Sequence, residues 1–384
     1  MIKVTMIPAG ARSVLDAVND QCIQCDACFG ECDVFDQLGM DPAQIVGQVL
    51  EGDVAPEVVD WAQKCALCGL CMSNCPFSLD FPKVVESIRQ VLAANDLMPL
   101  DALQGLMTDQ KWNVYSLYRE ANGVNYDDLK SVQDAPVAFF PGCVLGSYAP
   151  EVTRAAYAWL AEREPKVGFC ELCCGKTLEM MGLAEREEQW VDKLEAALQA
   201  QGVERLVVAC PNCYYQLKGH FQKIRVQHIY ELMAAEGVQV SGEGMLTVHD
   251  SCPDRVEGAV GGWMRQILGG YPQVEMTHHG ASSICCGSGG LVGALSPELA
   301  DERAQTRLAE FQQSGAQTLV TGCMTCAQRL SASGGGEHVV HILELTLGKR
   351  VDRERIQAQE ERMWEGGQGE ANLQRLAEQE PALP

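Results

Sequence analysis

The pattern of apolar and polar residues divides the chain into a helical first part and a second part in which strands and helices alternate. In the first part, apolar residues recur at helical spacing over residues 41–52, after an Asp-Pro pair suited to the N-cap and first helical position and before a glycine. A second helix is predicted from Ala55 towards Cys65, and a third over residues 84–95. The first part is therefore expected to be all-α.

In the second part, short runs of apolar and β-branched residues each end just before a cysteine or a histidine. The runs are VAFF before Cys143, RLVVA before Cys210, MLTV before His249 and TLVT before Cys323. Helices are predicted at 150–163, 183–200, 254–268 and 297–313. Strands that alternate with helices favour α/β units with a parallel sheet, whose ligand sites lie at the carboxyl ends of the strands.

The second part is also an internal repeat. Each copy holds one cysteine, then a Cys-Cys-Gly motif, then a C-x2-C motif. The first copy has Cys143, Cys173, Cys174, Cys210 and Cys213, and the second has Cys252, Cys285, Cys286, Cys323 and Cys326. We expect each copy to present five thiolates at one sheet edge, and the two edges to face each other across a cleft.

Composition limits the chemistry of these cysteines. The 384 residues include 19 cysteines, an odd number. No signal peptide and no apolar stretch long enough to span a membrane is recognised, so the chain is expected in the cytoplasm. In that compartment the cysteines are interpreted as metal ligands rather than as disulfides. With 47% hydrophobic residues the chain is of the globular class. A net charge of −23 excludes nucleic acid as a partner and argues against direct binding to an anionic membrane surface.

The first part contains two cysteine runs of identical C-x2-C-x2-C-x3-C spacing. Three thiolates at steps of three wrap one iron–sulfur cube, and the fourth crosses to the other cube. Zinc sites and disulfides are the alternatives, but zinc sites usually pair two C-x2-C halves. One 4Fe–4S cluster is thus predicted on Cys22, Cys25, Cys28 and Cys75, and another on Cys65, Cys68, Cys71 and Cys32.

These patterns resemble a known family. The two-cluster module is similar to the helical ferredoxin domain of heterodisulfide reductases and of respiratory dehydrogenase subunits, and the doubled cysteine motif is similar to the CCG domains of heterodisulfide reductase. Their order resembles the fused catalytic subunit. The resemblance implies an α+β multidomain protein, with an all-α two-cluster ferredoxin module at 1–99, a connector at 100–134, tandem α/β CCG repeats at 135–242 and 243–348, and a charged tail at 349–384.

The resemblance also implies two non-cubane 4Fe–4S clusters, one on the five cysteines of each repeat. This leaves Cys170, either as a buried free thiol or a group beside the ligands, or, three residues before Cys173, as an exchangeable ligand. The chain would then be an oxidoreductase subunit that carries electrons through two cubanes to paired clusters that reduce, or form, a disulfide. The alternative is an electron-transfer subunit of an anaerobic glycerol-3-phosphate, glycolate or lactate dehydrogenase, or of a larger electron-bifurcating complex. The complete motifs CPNC and CMTC favour the disulfide chemistry.

Several polar residues near the motifs are further candidates. His249 is a candidate for proton delivery, and the alternative is a packed histidine. Lys176 is a candidate for balancing the charge of a cluster or for steering an anionic substrate, and the alternative is a solvated lysine. His228 and His341 occupy equivalent positions in the two copies, which favours repeated packing over ligation. His278 and its neighbour are interpreted as loop residues.

Electrons must come from a partner, because no dinucleotide-binding fingerprint follows any predicted strand and the glycines of residues 288–290 are interpreted as turn backbone. The resemblance implies a flavin-containing heterodisulfide reductase A-like subunit or a membrane cytochrome b, and a small thiol or disulfide as substrate. The chain itself is expected to be cytoplasmic, without a membrane span, and peripheral to the membrane through its partner. The tail is expected to be a solvated helix or a disordered end, in which Met363 and Trp364 are candidates for docking on a partner.

Overall fold

Six helices and a two-stranded ribbon form the N-terminal module in the computed structural model, which describes residues 1–29, 32–130, 132 and 134–383. The helices are α1 (Ala9–Gln21), α2 (Asp33–Leu38), α3 (Pro42–Glu51), α4 (Pro56–Lys64), α5 (Leu70–Asn74) and α6 (Phe81–Ala94). Strands β1 (Ile2–Lys3) and β2 (Asp53–Val54) pair antiparallel. The three predicted helices are present as α3, α4 and α6, and α1, which packs against α3 and α6, was not predicted.

Local capping explains where these helices begin and end. The Asp41 carboxylate accepts a hydrogen bond from the Gln44 backbone N–H at 2.9 Å, and the Gln44 side chain accepts one from the Asp41 N–H at 3.0 Å. Gly52, with φ of 79°, ends α3 in the left-handed region. Helix α6 begins earlier than predicted because the Asp80 carboxylate accepts a hydrogen bond from the Lys83 N–H at 3.1 Å.

The connector leads into a first repeat that contains a four-stranded parallel sheet. The connector holds a 3₁₀ turn (Leu100–Leu106) and helices α7 (Val114–Ala121) and α8 (Asp127–Lys130). The strands are β3 (Val137–Phe140), β4 (Val167–Phe169), β5 (Arg205–Val208) and β6 (Arg225–His228), in the order β4-β3-β5-β6. The helices are α9 (Cys143–Tyr148), α10 (Pro150–Ala161), α11 (Lys176–Met180), α12 (Ala184–Ala200), α13 (Pro211–His220) and α14 (Ile229–Ala235).

The second repeat has a three-stranded parallel sheet with the same central pairing. Strands β7 (Leu246–His249), β8 (Thr318–Thr321) and β9 (Val339–His341) lie in the order β7-β8-β9. Its helices are α15 (Ala259–Ile267), α16 (Val292–Leu295), α17 (Pro297–Gln313), α18 (Met324–Leu330) and α19 (Ile342–Leu347), with 3₁₀ turns at Cys252–Asp254, Gly280–Ser282, Gly289–Leu291 and Gly336–His338 and a π turn at Ser331–Gly335. Where the first repeat has β4, a single parallel bridge joins Leu246 to Gln273. The predicted α+β class with parallel sheets is confirmed.

One predicted helix is wrong in its first turns. The pattern predicts a helix over 254–268, but α15 begins only at Ala259, after Gly258 with φ of 65°. The Asp254 carboxylate accepts hydrogen bonds from the backbone N–H groups of Val260 at 2.9 Å and Gly261 at 2.7 Å. This side chain thus caps a helix that begins further along the chain.

The tail forms two helices, α20 (Arg353–Arg362) and α21 (Gly366–Glu378), so the alternative of a disordered end is wrong, whereas most residues of both helices are exposed, as a solvated helix requires. Ile356, Met363 and Leu376 are buried within this chain, and only a few apolar residues are needed because the tail rests on the connector. Since Met363 is covered, it does not dock on a partner; Trp364 is 39% exposed.

Backbone and side-chain contacts join the tail to the connector. The Lys111 N–H donates to the Glu380 carbonyl at 2.7 Å, and the Ala382 N–H donates to the Asp109 carbonyl at 2.8 Å. The hydroxyl of Tyr118 on α7 donates to the Gln359 side chain on α20 at 2.7 Å. Connector and tail therefore form one helical layer. Among the described residues, no helix is long and apolar enough to cross a membrane.

Close backbone approaches join the N-terminal module to both repeats. A Cβ added at Gly182 would lie 2.3 Å from the Arg89 carbonyl carbon, and one added at Gly290 would lie 2.2 Å from the Cys65 carbonyl oxygen. Both glycines have positive φ, 79° and 58°, so a side chain is excluded by conformation as well as by space. These contacts fix the cysteine loops of the module against the repeats.

Candidate functional site

The cysteines of both repeats lie around one cavity of about 850 Å³, which we call the thiol cavity. It opens where strands of both sheets end, because β3, β5, β7 and β8 lead into cysteine loops, as the sequence predicts. The repeat cysteines that line it are Cys143, Cys173, Cys174, Cys210, Cys213, Cys252, Cys286, Cys323 and Cys326. The tenth, Cys285, lines a neighbouring cavity of about 230 Å³, which we call the junction cavity.

Sulfur atoms approach one another within each repeat and between the repeats. In the first repeat the Cys173 and Cys143 sulfurs are 3.5 Å apart, and in the second the Cys286 and Cys326 sulfurs are 3.2 Å apart. Cys210 and Cys323, from different repeats, share a thiol hydrogen bond. The cleft predicted between the two sheet edges is therefore present, and its two thiol groups are in contact.

Glycine permits each pair of adjacent cysteines to turn into this cavity. Gly175 and Gly287 have φ of 85° and 90°. A Cβ at Gly287 would lie 2.0 Å from the Ala300 carbonyl oxygen, so the turn can be built only with glycine there. In the first repeat the indole N–H of Trp190 donates to the Cys173 carbonyl at 2.9 Å and holds the loop in place.

Hydrogen bonds among the buried thiols favour ionisation at particular sulfurs. The thiol of Cys210, followed by that of Cys326, lowers the pKa of Cys323, and hydrogen bonds from Cys285 and then Cys326 lower that of Cys286. In the first repeat, bonds from Cys143 and then Cys174 lower the pKa of Cys173. Iron–sulfur clusters are held by thiolates, so a concentration of thiols with few other donors fits such a group.

The cysteines of the N-terminal module come together in the two sets expected from their spacing. The first cubane set is Cys22, Cys25, Cys28 and Cys75: burial, followed by the charges of the other three, raises the pKa of Cys28 to about 12. The second cubane set is Cys32, Cys65, Cys68 and Cys71, and all four line the junction cavity. Cys25 of the first set is exposed at the surface.

The second cubane set lies directly against the second repeat. The thiols of Cys68 and Cys285 share a hydrogen bond across the junction cavity. The Arg255 Nε–H donates to the Cys68 carbonyl at 2.7 Å, and Gly290 packs on Cys65. The glycine run at 288–290 is thus turn backbone beside the cysteines, as predicted, and its smallness allows the two loops to touch.

Lys176 lines the thiol cavity but does not face solvent as a free cation. Its Nζ lies 3.1 Å from a Glu86 carboxylate oxygen and 2.7 Å from one of Glu179. Burial disfavours its charge, but the two carboxylates outweigh burial and raise the pKa of Lys176. Because the charge is paired with two carboxylates, the alternative of a solvated lysine is wrong, whereas a role of Lys176 towards a cluster or an anionic substrate stays a prediction. Lys176 also joins α6 to the first repeat.

His249 ends β7 and is completely enclosed. The Arg307 Nε–H donates to its Nδ1 at 3.0 Å, and burial, followed by the Arg307 charge, lowers the pKa of His249 to about 3. One of its ring nitrogens lies within 4.8 Å of the sulfurs of Cys286 and Cys326. The ring borders the sulfurs as a hydrogen-bonding group, and proton delivery by His249 stays a prediction. Phe140 has the corresponding place in the first repeat.

The remaining histidines and Cys170 have structural roles. His228 Nδ1 accepts a hydrogen bond from the Tyr230 N–H at 3.2 Å and caps α14. His341 is likewise buried just before α19, but its Nδ1 has no hydrogen-bond partner among the described residues, and its Nε2 lies 3.2 Å from the Tyr230 hydroxyl. The two histidines thus share a packing position, as expected. His278 lies in the loop after Met276, as predicted, and contacts Glu310. Cys170 is buried, 7% exposed, and burial raises its pKa to about 12.

Sequence reasoning missed several residues around the site. Arg303 lines the junction cavity, with Nη1 buried and without a hydrogen-bond partner among the described residues. Burial opposes its charge, but Cys285 and the second cubane set raise the pKa of Arg303. Tyr115, Tyr148 and Glu360 line the thiol cavity from the connector, the first repeat and the tail. Arg303 could have been noticed as an arginine within the periodic pattern of the predicted helix at 297–313. No local sequence feature marks Tyr115, Tyr148 or Glu360.

Comparison with known families agrees with this arrangement. A model described as a 4Fe-4S dicluster domain matches residues 21–80, and one described as a cysteine-rich domain (CCG) matches residues 137–218 and again 246–331. The chain is therefore an iron–sulfur protein that joins a dicluster ferredoxin domain to two CCG domains. The dicluster domain provides for two cubane 4Fe–4S clusters, and the CCG domains for further iron–sulfur clusters.

Curated relatives narrow the class. A subunit of the fumarate reductase (CoM/CoB) of Methanothermobacter marburgensis is 25% identical, over 84% of this chain and 71% of that one. A subunit of the dihydromethanophenazine:CoB–CoM heterodisulfide reductase of Methanosarcina barkeri is 23% identical, over 81% of this chain and 88% of that one. The glycolate oxidase iron–sulfur subunit of Escherichia coli is 21% identical, over 87% and 95%. The chain thus has a dicluster domain followed by two CCG domains, and its homologues include subunits of heterodisulfide reductase and of fumarate reductase (CoM/CoB).

Proposed function

We propose that this chain is the subunit of a redox complex in which a small disulfide is reduced, or formed, between the two CCG repeats. The observation that carries the proposal is the thiol cavity, where cysteines of both repeats line one space and Cys210 contacts Cys323. A disulfide has two sulfurs, and a site with one thiol-rich wall on each side can hold both. The E. coli relative favours an electron relay instead, but both C-x2-C motifs are complete here.

The cysteine sets suggest which residues hold each cluster. We assign one cubane to Cys22, Cys25, Cys28 and Cys75 and the other to Cys32, Cys65, Cys68 and Cys71, and one non-cubane 4Fe–4S cluster to the five cysteines of each repeat. These groups, when bound, supply one-electron redox steps at sulfur-ligated iron. The protein's part is to bury the sulfurs, to hold the loops with Trp190 and Arg255, and to place His249 and Arg303 beside the second repeat.

Contacts suggest the direction in which electrons enter. Cys25 is exposed, with Ile23 and Phe77 at 61% and 53% exposure beside the first cubane set, so a partner would deliver electrons there. The contact of Cys68 with Cys285 makes the second repeat the point of transfer from the module. Relatives are named as subunits of complexes, and we propose a flavin-containing A-like subunit or a membrane cytochrome b as the partner.

The test uses the iron-loaded full chain under anaerobic conditions, with reduced methyl viologen as the electron donor. The probes are the CoB–CoM heterodisulfide named for the relative and, separately, cystine. We expect viologen oxidation that depends on a disulfide, and its loss in Cys210→Ala. The matched control is Cys170→Ala, a buried cysteine away from the thiol cavity, which should remain active. An inactive wild type, or an active Cys210→Ala, contradicts the proposal; an inactive wild type that still passes electrons to an artificial acceptor would indicate a relay.

A further inference from the structure

One wall of the thiol cavity is formed by the C-terminal tail, outside the segments matched by the family models. Gln357, Glu360, Met363 and Trp364 line it, opposite the cysteines of the repeats. The tail is held there by its contacts with the connector, among them the hydrogen bond from Tyr118 to Gln359. A substrate in the cavity would therefore meet side chains of α20 as well as sulfurs.

Glu360 is the carboxyl group of this wall. The hydroxyl of Tyr148 on α9 is hydrogen-bonded to Glu360, and the guanidinium of Arg329 on α18 faces it. Burial, followed by nearby charges that include Glu360, raises the pKa of Tyr115 and Tyr118 on α7. On α20 itself the next residue is the exposed Glu361. Burial raises the pKa of Glu360, against the smaller lowering effects of Tyr148 and Arg329. Burial therefore keeps this carboxyl protonated to a higher pH than an exposed glutamate.

The other charged groups of the cavity are engaged elsewhere. Glu86 is paired with Lys176 at 3.1 Å. Asp80 is exposed and caps α6. Arg255 donates to the carbonyl oxygens of Cys68, Ala281 and Ser283. Glu360 is the carboxyl whose hydrogen-bonded partner, Tyr148, is itself uncharged.

We propose that Glu360 is the proton donor to the product sulfur on the side of the first repeat, with Tyr148 as the positioning residue. The inference rests on the proposed function. Reduction of one disulfide breaks the S–S bond, takes two electrons from the external donor and two protons, and forms two S–H groups. One proton moves from the Glu360 carboxyl to a thiolate sulfur, the second comes from water, and the carboxylate regains a proton from solvent beside the partly exposed Trp364.

Two readouts on the iron-loaded full chain test this. Infrared spectra recorded across a pH titration should contain the carbonyl band of a protonated carboxyl that persists above the titration range of exposed glutamates, disappears in Glu360→Gln and stays in the matched control Glu361→Gln. Viologen-driven disulfide reduction should fall on the order of 10²-fold in Glu360→Gln at unchanged iron content, and Glu361→Gln should match wild type. Wild-type activity should also decline as the pH rises through the raised pKa of Glu360, because the proton is then lost, and Glu360→Gln should lack this decline.

The outcomes separate this inference from the function on which it rests. If the wild type reduces no disulfide, the proposed function is overturned and the inference with it. If the wild type is active and Glu360→Gln equals Glu361→Gln in rate and pH profile, only the inference is overturned. Tyr148→Phe provides a second check with little change in volume: it should shift the decline with pH and alter the infrared band, whereas a purely structural tyrosine would lower iron content and leave both unchanged.

Discussion

Arg89 is the residue whose removal should most directly loosen the N-terminal module from the repeats. It is fully buried on α6 and donates to four carbonyl oxygens, those of Ala62 at 2.8 Å, Gln63 at 3.1 Å, Cys65 at 2.7 Å and Met180 at 2.7 Å. Two of these acceptors lie in the last turn of α4, the third is that of Cys65 directly after this helix, and the fourth lies in the first repeat. We expect Arg89→Gln to weaken the fold and the cluster loop together.

The magnitude follows from the bonds that are lost. A hydrogen bond to a charged group contributes about 1.5–3 kcal/mol, so four of them set an upper bound of about 6–12 kcal/mol. The dehydration of the buried guanidinium opposes this by several kcal/mol, and breaking a buried charged network typically costs about 3–5 kcal/mol. For a chain of this size such a loss lowers the unfolding temperature on the order of 5–10 °C. Arg89→Lys keeps the charge but not the planar fork, so an intermediate loss is expected.

The assay is thermal unfolding of the iron-loaded chain, followed by circular dichroism, with iron content measured before heating. Arg12→Gln is the matched control, since Arg12 is exposed on α1, which packs against α6. It should change the unfolding temperature by about 1 °C or less, as surface substitutions usually stay within about 0.5 kcal/mol. Equal unfolding temperatures for Arg89→Gln and Arg12→Gln would refute the reasoning.

Three further changes have defined outcomes. Gly290→Ala should slow electron arrival at the second repeat in stopped-flow reduction, because its Cβ would meet the Cys65 carbonyl at 2.2 Å, whereas Gly262→Ala, with open space around it, should not. Although burial opposes it, Lys176 lowers the pKa of Glu179 to about 2. The stability that this ion pair contributes should therefore be present above the ordinary glutamate pKa of 4.5 and be lost as the pH falls towards 2. In an acid titration of unfolding, Glu179→Gln should not show this loss of stability. His249→Phe, which copies the first repeat, should shift the redox potential of the second-repeat centre measured by EPR-monitored titration, and an unchanged potential would count against its contact with the sulfurs.

Local sequence features predicted the parts of the molecule that depend on local spacing. The helix over α3 follows from its capping residues, and the parallel sheets follow from apolar runs that end at Cys143 or Cys323, since strand ends gather such residues at one edge. Cysteine spacing likewise indicated the two sets of the module, because a C-x2-C-x2-C loop can close on one cluster.

Residues whose roles depend on distant partners could not be predicted in this way. The ion pair of Lys176 with Glu86, unlike that with Glu179 one helical turn away, has no local signal, because only folding places Lys176 and Glu86 3.1 Å apart. The tail is strongly charged, and its few apolar residues, such as Ile356, are buried because α20 packs on the second repeat and α21 on the connector. Glu360 therefore carried no signal of its place beside the cysteines.

The most direct test of the central claim is anaerobic determination of iron and acid-labile sulfide in the purified chain, together with Mössbauer and EPR spectra of the reduced and thiol-treated protein. Two cubanes and two CCG clusters predict about 16 iron atoms per chain, at about four per cluster, with part of the spectrum unlike that of ordinary cubanes. A content near about 8, entirely cubane-like, would mean that the cysteines around the thiol cavity hold no clusters and would contradict the account.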